Sequence, residues 1–355
     1  MIKLLTVIGA RPQIIKAAAI SRAIKKLYSD RLSEVIVHTG QHYDYAMSEK
    51  IFSDLGIRQP DIHLEIGSSS QAMQTGNMMV GLEKVMVGQR PDLVIVFGDT
   101  NSTLAGAVTA AKLNIPILHI EAGLRSYNKS MPEEINRTAT DHISKYLFAP
   151  TPTAMNILKK EGIGDNAFLT GDIMVDTLKM NLGIALSKSS ILEELNLRNK
   201  EYNLLTLHRN YNVDHTDVLN HILNQLGQLN EKIIFPVHPR TKKMIQISKP
   251  IPGNLILIEP LGYLDFIVLE YYAKRIITDS GGIQKEAYIL KKPCITLRTE
   301  TEWVETVEEG WNILISPFEK NITSQIFSFK TPATQRNVFG QNVTDRMVEV
   351  INQVQ

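Results

Sequence analysis

The chain has 355 residues, 43% of them hydrophobic and 21% charged, with a formal net charge of +1. That length exceeds one ordinary compact core, so two domains are expected, and the balanced charge gives no argument for nucleic acid or an acidic membrane as partner. One cysteine, Cys294, excludes an internal disulfide and a cysteine-based zinc site, and no apolar stretch approaches a membrane span.

Lys3 is followed only by the short apolar run 4–8, which suits a first strand rather than a signal peptide, so a cytoplasmic protein is expected. From there, β-branched runs alternate with amphipathic segments. The first series predicts strands at 4–8, 35–38, 93–97, 115–120, 146–149 and 167–170. Its helices are expected at 14–27, 48–55, 71–87, 102–112, 134–144, 154–161 and 174–186. The polar stretch 186–200 has no clear strand and marks the domain boundary. A second series follows, with strands at 203–207, 232–237, 254–258, 275–278 and 294–297. Helices are expected between them at 218–229, 263–272, 282–290 and 302–308, and a last one at 341–352. Strands and helices alternating at these lengths mean βαβ units on parallel sheets. The fold class is α/β: two doubly wound Rossmann-type domains, 1–186 and 187–340, facing a deep cleft. The terminal helix in 341–355 is expected to pack back toward the first domain. Ligands of such folds sit at the carboxyl ends of the strands, and the polar residues collect there.

After the first strand, Arg11 and Lys16 lie at a helix start, where cations gain nothing from the helix dipole and suit a diphosphate. After the third core strand comes Asp99, which either caps the next helix or works in chemistry. Glu121 ends an apolar run, and a carboxylate there needs a partner. Glu133 and Glu134 open a helix; the dipole explains one of them and leaves the other for chemistry. Three carboxylates at strand and loop ends suggest proton transfer. The second half supplies His208 and His238 after successive strands. It also has the run Thr278-Asp279-Ser280-Gly281-Gly282-Ile283-Gln284-Lys285-Glu286. Read locally, Ser280, Gly281 and Gly282 form a turn whose N–H groups and helix end favour an anion, and Glu286 suits vicinal hydroxyls such as a ribose. The plainer reading is a glycine turn between strand and helix. Walker, dinucleotide, triad, HExxH and CxxC patterns are missing, so no cofactor and no metal are expected.

Taken in order, these motifs resemble the non-hydrolysing UDP-N-acetylglucosamine 2-epimerase family, which has a GT-B-like fold. The resemblance runs over essentially the whole chain. It rests on Gly9-Ala10-Arg11-Pro12 with Lys16, Gly98-Asp99-Thr100, Glu121-Ala122-Gly123-Leu124-Arg125, Pro132-Glu133-Glu134-Ile135-Asn136-Arg137, His208-Arg209 and the glycine turn with Glu286. It implies inversion at C2 of a UDP-2-acetamido sugar without NAD, through elimination and re-addition of UDP. It gives Asp99, Glu121 and Glu133 acid, base or electrostatic roles, with His208 close to the diphosphate or C2. Arg11, Lys16, His208 and Arg137 would face the sugar diphosphate, with His238 on the UDP side. Ser280, Gly281 and Gly282 would bind phosphate oxygens, Glu286 the ribose, and Phe266 would lie against uracil unless it is core. A homodimer is implied, with a UDP-sugar as the partner molecule.

Several positions depart from the family pattern. Ala10 and Gln13 stand for Thr and Glu. The run His208-Arg209-Asn210-Tyr211-Asn212 and the run Thr301-Glu302-Trp303-Val304-Glu305 differ from the usual ones, the latter lacking an arginine that Arg298 could replace. The loop 126–131 is short. These features look like the branch acting on UDP-2,3-diacetamido-2,3-dideoxyglucuronate. Gln41-His42 matches part of a regulatory site, but no basic residue lies at 68–70, so that site is not expected. A GT-B glycosyltransferase, a hydrolysing 2-epimerase and a silent nucleotide-sugar sensor are the alternatives.

Overall fold

The computed structural model describes residues 1–41, 52, 55, 57–197, 201–246 and 251–353. His42 and nearly all of the helix expected at 48–55 lie outside the described residues. The chain divides into two units, residues 1–179 with 337–355, and residues 180–336.

The first unit runs β1 (Ile2–Ile8), α1 (Arg11–Leu27), β2 (Leu32–His38), β3 (Ile62–His63), α2 (Gln71–Gln89), β4 (Leu93–Phe97), α3 (Asn101–Lys112), β5 (Ile117–Ile120), α4 (Pro132–Ile143), β6 (Tyr146–Ala149), α5 (Pro152–Lys160) and β7 (Ala167–Leu169). Helix α6 (Met174–Lys188) begins in it and ends in the second unit. The second unit continues with α7 (Ile191–Glu194), β8 (Tyr202–Thr206), α8 (Asn210–Val213), α9 (Thr216–Gly227), β9 (Lys232–Pro236), α10 (Pro239–Gln246), β10 (Leu255–Ile258), α11 (Tyr263–Tyr272), β11 (Arg275–Thr278), α12 (Gly281–Ile289), β12 (Cys294–Thr296), α13 (Val304–Glu308), β13 (Asn312–Leu314) and α14 (Ile322–Ser328). The last helix, α15 (Val343–Gln353), belongs to the first unit. It packs on α1 through Val343, Met347, Val348 and Ile351, one buried stripe at helical spacing.

Each unit holds one parallel sheet. The first has seven strands in the order β3-β2-β1-β4-β5-β6-β7, the second six in the order β10-β9-β8-β11-β12-β13. Strands covered on both faces read as unbroken apolar runs, and Leu93-Val94-Ile95-Val96-Phe97 is wholly buried for this reason. Helix α3 lies close on the sheet because its inner face is small. A Cβ on Gly106 would stand 3.1 Å from Val96 and 3.3 Å from Val7.

Both orders reverse direction next to the first strand of the unit. In the first unit the reversal falls between β1 and β4, in the second between β8 and β11. Chain leaving the carboxyl ends of those strands diverges and leaves a crevice, which is where doubly wound sheets bind ligands. Six short elements escaped the sequence pattern: β3, α7, α8, α10, β13 and α14. Strands of two or three residues have no measurable alternation.

Candidate active site

In the first unit, the turn after β1 delivers Arg11 at the first position of α1, half-buried. The next turns are tied together by Gln13. Its Oε1 accepts from the N–H groups of Gly9 (2.9 Å) and Ala10 (3.1 Å), while its Nε2 donates to the Phe97 carbonyl at 2.9 Å. The glutamate usual at this position could not make that last bond. Helix α3 is capped by Thr100, whose hydroxyl accepts from the Thr103 N–H. Asp99 is therefore not the cap. Its carboxylate instead accepts from Arg137 Nη2, and Arg137 Nη1 lies 3.1 Å from Glu134.

Glu121 follows β5 in the left-handed region, with φ of 72°, a conformation non-glycine residues avoid. It is buried, and the partner it needs is Lys16, whose ammonium donates to Oε2. Lys16 thus meets a carboxylate 105 positions away. The two glutamates of α4 divide their work. Glu134 is buried and accepts from the N–H groups of Ser126 and Tyr127, both at 2.9 Å, which closes the 126–131 loop. Glu133 is half-buried, near enough to act on Asp99. The Asp99 carboxyl is pushed above the usual range, chiefly by burial, with Glu121 and Glu133 adding to the push and Arg137 opposing it. A third of its side chain (33%) stays open to solvent, which screens these charges.

In the second unit, Asp279 directly follows β11 and has no exposure. It accepts from the backbone N–H of His208 (3.1 Å) and Arg209 (3.0 Å) and from Asn212 Nδ2 (3.0 Å). The His208 ring Nδ1 stands 2.8 Å away. Burial alone would raise this carboxyl, but His208, Asn212 and the N–H donors outweigh it and hold it below the ordinary range. His208 itself is half exposed and held in place by an anion. His238 is exposed beyond β9, accepting from the Arg240 N–H at 3.3 Å. Phe266 is half-buried on α11. Ser280 is the N-cap residue of α12.

The two glycines of α12 are not equivalent. A Cβ at Gly281 would sit 2.0 Å from Glu302 Oε1, so the space there is taken by a buried carboxylate. Glu302 in turn lies 3.1 Å from the buried guanidinium of Arg298. At Gly282 a Cβ would meet nothing closer than Ser280 Oγ at 3.9 Å, and this glycine is exposed. Open backbone is therefore found at Gly282, whereas Gly281 serves an internal contact. Glu286 is half-buried in the second turn of α12.

Two groups were quoted in the sequence but given no role: Asp279, which organises His208, and Asn212 behind it. A carboxylate directly after a buried strand was the signal for the first. Asp141 was missed altogether, although Glu134, Arg137 and Asp141 recur at helical spacing on one buried face of α4.

A family model described as UDP-N-acetylglucosamine 2-epimerase matches residues 25–352. The chain is 49% identical to a UDP-N-acetylglucosamine 2-epimerase homolog of Methanococcus maripaludis, covering 98% of this chain and 99% of that protein. It is 44% identical to the UDP-2,3-diacetamido-2,3-dideoxy-D-glucuronate 2-epimerase of Pseudomonas aeruginosa over 88% of each. The crystal structure of the Methanocaldococcus jannaschii UDP-GlcNAc 2-epimerase, in complex with UDP-GlcNAc and UDP, superposes with a TM-score of 0.90. That pair shares 42% identity, over 99% of this chain and 100% of the other. A glycosyltransferase of Streptomyces nogalater, at 12% identity and a TM-score of 0.55, shares the GT-B-like fold alone. The chain belongs to the UDP-N-acetylglucosamine 2-epimerase family and is a nucleotide-sugar 2-epimerase, an isomerase.

Proposed function

We propose that this member of the family interconverts UDP-N-acetylglucosamine and its C2 epimer, with proton transfer in the first unit and UDP held by the second. The C2 proton leaves to a carboxylate as the C1–O bond to UDP breaks, giving a 2-acetamidoglycal. UDP then re-adds at C1 while a proton arrives at the opposite face of C2. The observation that carries this reading is the unequal treatment of Asp99 and Glu121. Lys16 beside Glu121 favours a charged carboxylate, fit to take the proton. Asp99, pushed upward, is fit to return one, and the roles exchange in the reverse direction. Burial, with Glu121 and Glu133 adding to it, keeps the Asp99 carboxyl high. Arg11, Lys16 and Arg137 neutralise the substrate side. Ser280 and Gly282 at the α12 N-terminus, with Gly281 between them, receive the diphosphate, and His208, steadied by Asp279, and His238 add donors to it. Glu286 takes the ribose and Phe266 the uracil.

Proton NMR of UDP-GlcNAc with the protein in deuterated water tests the proposal. UDP-ManNAc carrying deuterium at C2 is expected. Free sugar with UDP would mean hydrolysis, and transfer to an added acceptor would mean a glycosyltransferase. The 44% identity to the Pseudomonas aeruginosa enzyme favours one second reading, the same C2 chemistry on the diacetamido uronate. Turnover of that sugar and not of UDP-GlcNAc would establish it. Among the described residues no helix is long and apolar enough to cross a membrane. A cytoplasmic homodimer completes the proposal, and light scattering of the purified chain at twice its 39.9 kDa mass would support the dimer.

A further inference from the structure

His119 lies on β5, two residues before Glu121, with no exposure. Its Nε2 stands 2.7 Å from the Gly98 carbonyl and its Nδ1 2.7 Å from Asp141 Oδ1. A carbonyl only accepts, so Nε2 carries a hydrogen. Asp141 is itself surrounded by donors: its Oδ2 accepts from the Gly123 N–H at 3.0 Å and from Arg125 Nη1 at 2.7 Å. Burial alone would raise the Asp141 carboxyl, but His119 and Arg125 outweigh it and hold it below the ordinary range, so Asp141 is an anion and Nδ1 carries a hydrogen too. Either neutral tautomer would aim a lone pair at an acceptor in a dry interior. Charge balances within the cluster. Arg125 also bonds Glu161 through Nε at 2.9 Å and Nη2 at 2.6 Å, so His119 and Arg125 stand against Asp141 and Glu161, with half-exposed His142 at the rim, 3.1 Å from Glu161.

We infer that His119 is held as an imidazolium and acts as the positioning residue that fixes both carboxylate turns of the first unit. Its ring and the Gly123 N–H both end on Asp141, so one carboxylate anchors the chain two residues before and two residues after Glu121. That bracket holds Glu121 at its φ of 72°. On its other edge the ring holds the carbonyl of Gly98, the residue before Asp99. The Gly98 N–H donates to the Ile120 carbonyl at 2.9 Å, and a Cβ on Gly98 would stand 3.2 Å from Glu121 Oε2. One ring thus spans the turns after β4 and β5. The inference rests on the reading that these carboxylates move the C2 proton, but the protonation state stands by itself.

Nitrogen NMR of the full chain carrying isotope-labelled histidine, near pH 8, tests it. One of the nine histidines is expected to show two protonated ring nitrogens, with hydrogens slow to exchange with solvent. That signal should vanish in His119→Gln. If every protected histidine shows one unprotonated nitrogen, the inference is wrong. In His119→Gln, kcat should fall on the order of 10²-fold through misplacement of the carboxylates, with KM and UDP affinity little changed. Unchanged kcat would refute the positioning role. A merely structural role would lower the amount of folded enzyme and leave kcat per folded molecule intact. If the wild-type chain turns over no UDP-sugar, the functional reading fails, while the nitrogen spectrum still decides the protonation. If the variant does not fold, the wild-type spectrum decides alone.

Discussion

Asp99 and Asp279 occupy the same place in two sheets. Each follows the strand that pairs with the first strand of its unit, β4 beside β1 and β11 beside β8. Their surroundings are opposite. The Asp99 carboxyl is pushed up chiefly by burial, with Glu121 and Glu133 adding and Arg137 opposing. Asp279 is ringed by N–H donors and the His208 ring, and its carboxyl is pushed down. The topology offers an acid at the crevice twice, and in our proposal the surroundings fit one to exchange a proton and the other to keep its charge.

Substitution sharpens that difference, beginning with the largest effect. Replacing Glu121 by Gln removes the carboxylate that Lys16 holds. C2 exchange should fall by about 10²–10⁴-fold, the range for a lost acid–base group, as read by deuterium incorporation. Asp279→Asn should act mainly on stability. Its amide cannot accept from three N–H groups and a histidine at once, so thermal unfolding of the second unit should lose about 3 kcal/mol. UDP affinity should fall with it. If Asp279→Asn left stability intact while abolishing exchange, the two aspartates would not differ as described.

The glycines give a finer test. Gly281→Ala forces Glu302 away from Arg298 and should cost about 1–3 kcal/mol, measured by urea unfolding. Gly282→Ala has room and should be neutral or slightly stabilising, by about 0.4–1 kcal/mol where the helix accepts alanine. Equal effects would mean that Glu302 does not fill the space over Gly281.

A pH slope of similar size is expected in the first unit. His38 is buried beside His63, and burial first, then that neighbour, lowers its pKa to about 4 from 6.5. The unfolded chain binds this proton well before the folded one, so stability is lost as pH falls below about 6.5. From about pH 7.5 to about pH 5.5 the loss should be about 1 kcal/mol. His38→Asn should remove that part of the slope in thermal melts, and an unchanged slope would assign it elsewhere.

Much of this was legible beforehand because strands buried on both faces leave long apolar runs. The proposed site residues Asp99, Glu121 and His208, and Asp279 beside the last, stand at the ends of those runs. The edge strands β3 and β13 were invisible because two or three residues carry no period. Pairings were invisible for a different reason. Lys16 and Glu121, or His119 and Asp141, are joined only by the order of strands in the sheet, and neither local pattern names its partner. The unequal roles of Gly281 and Gly282 depend on Glu302, some twenty residues on, and no local reading of the turn contains it.

The division of labour between the units is tested most directly by one paired measurement on Glu121→Gln and Glu286→Gln. Each is incubated with UDP-GlcNAc in deuterated water to follow C2 by NMR, and each is titrated with UDP by calorimetry. Glu121→Gln should lose C2 exchange and keep wild-type UDP affinity, while Glu286→Gln should bind UDP at least tenfold more weakly, about 1.4 kcal/mol, and still exchange C2 at saturating substrate. Wild-type exchange in Glu121→Gln, or undiminished UDP affinity in Glu286→Gln, would contradict the account.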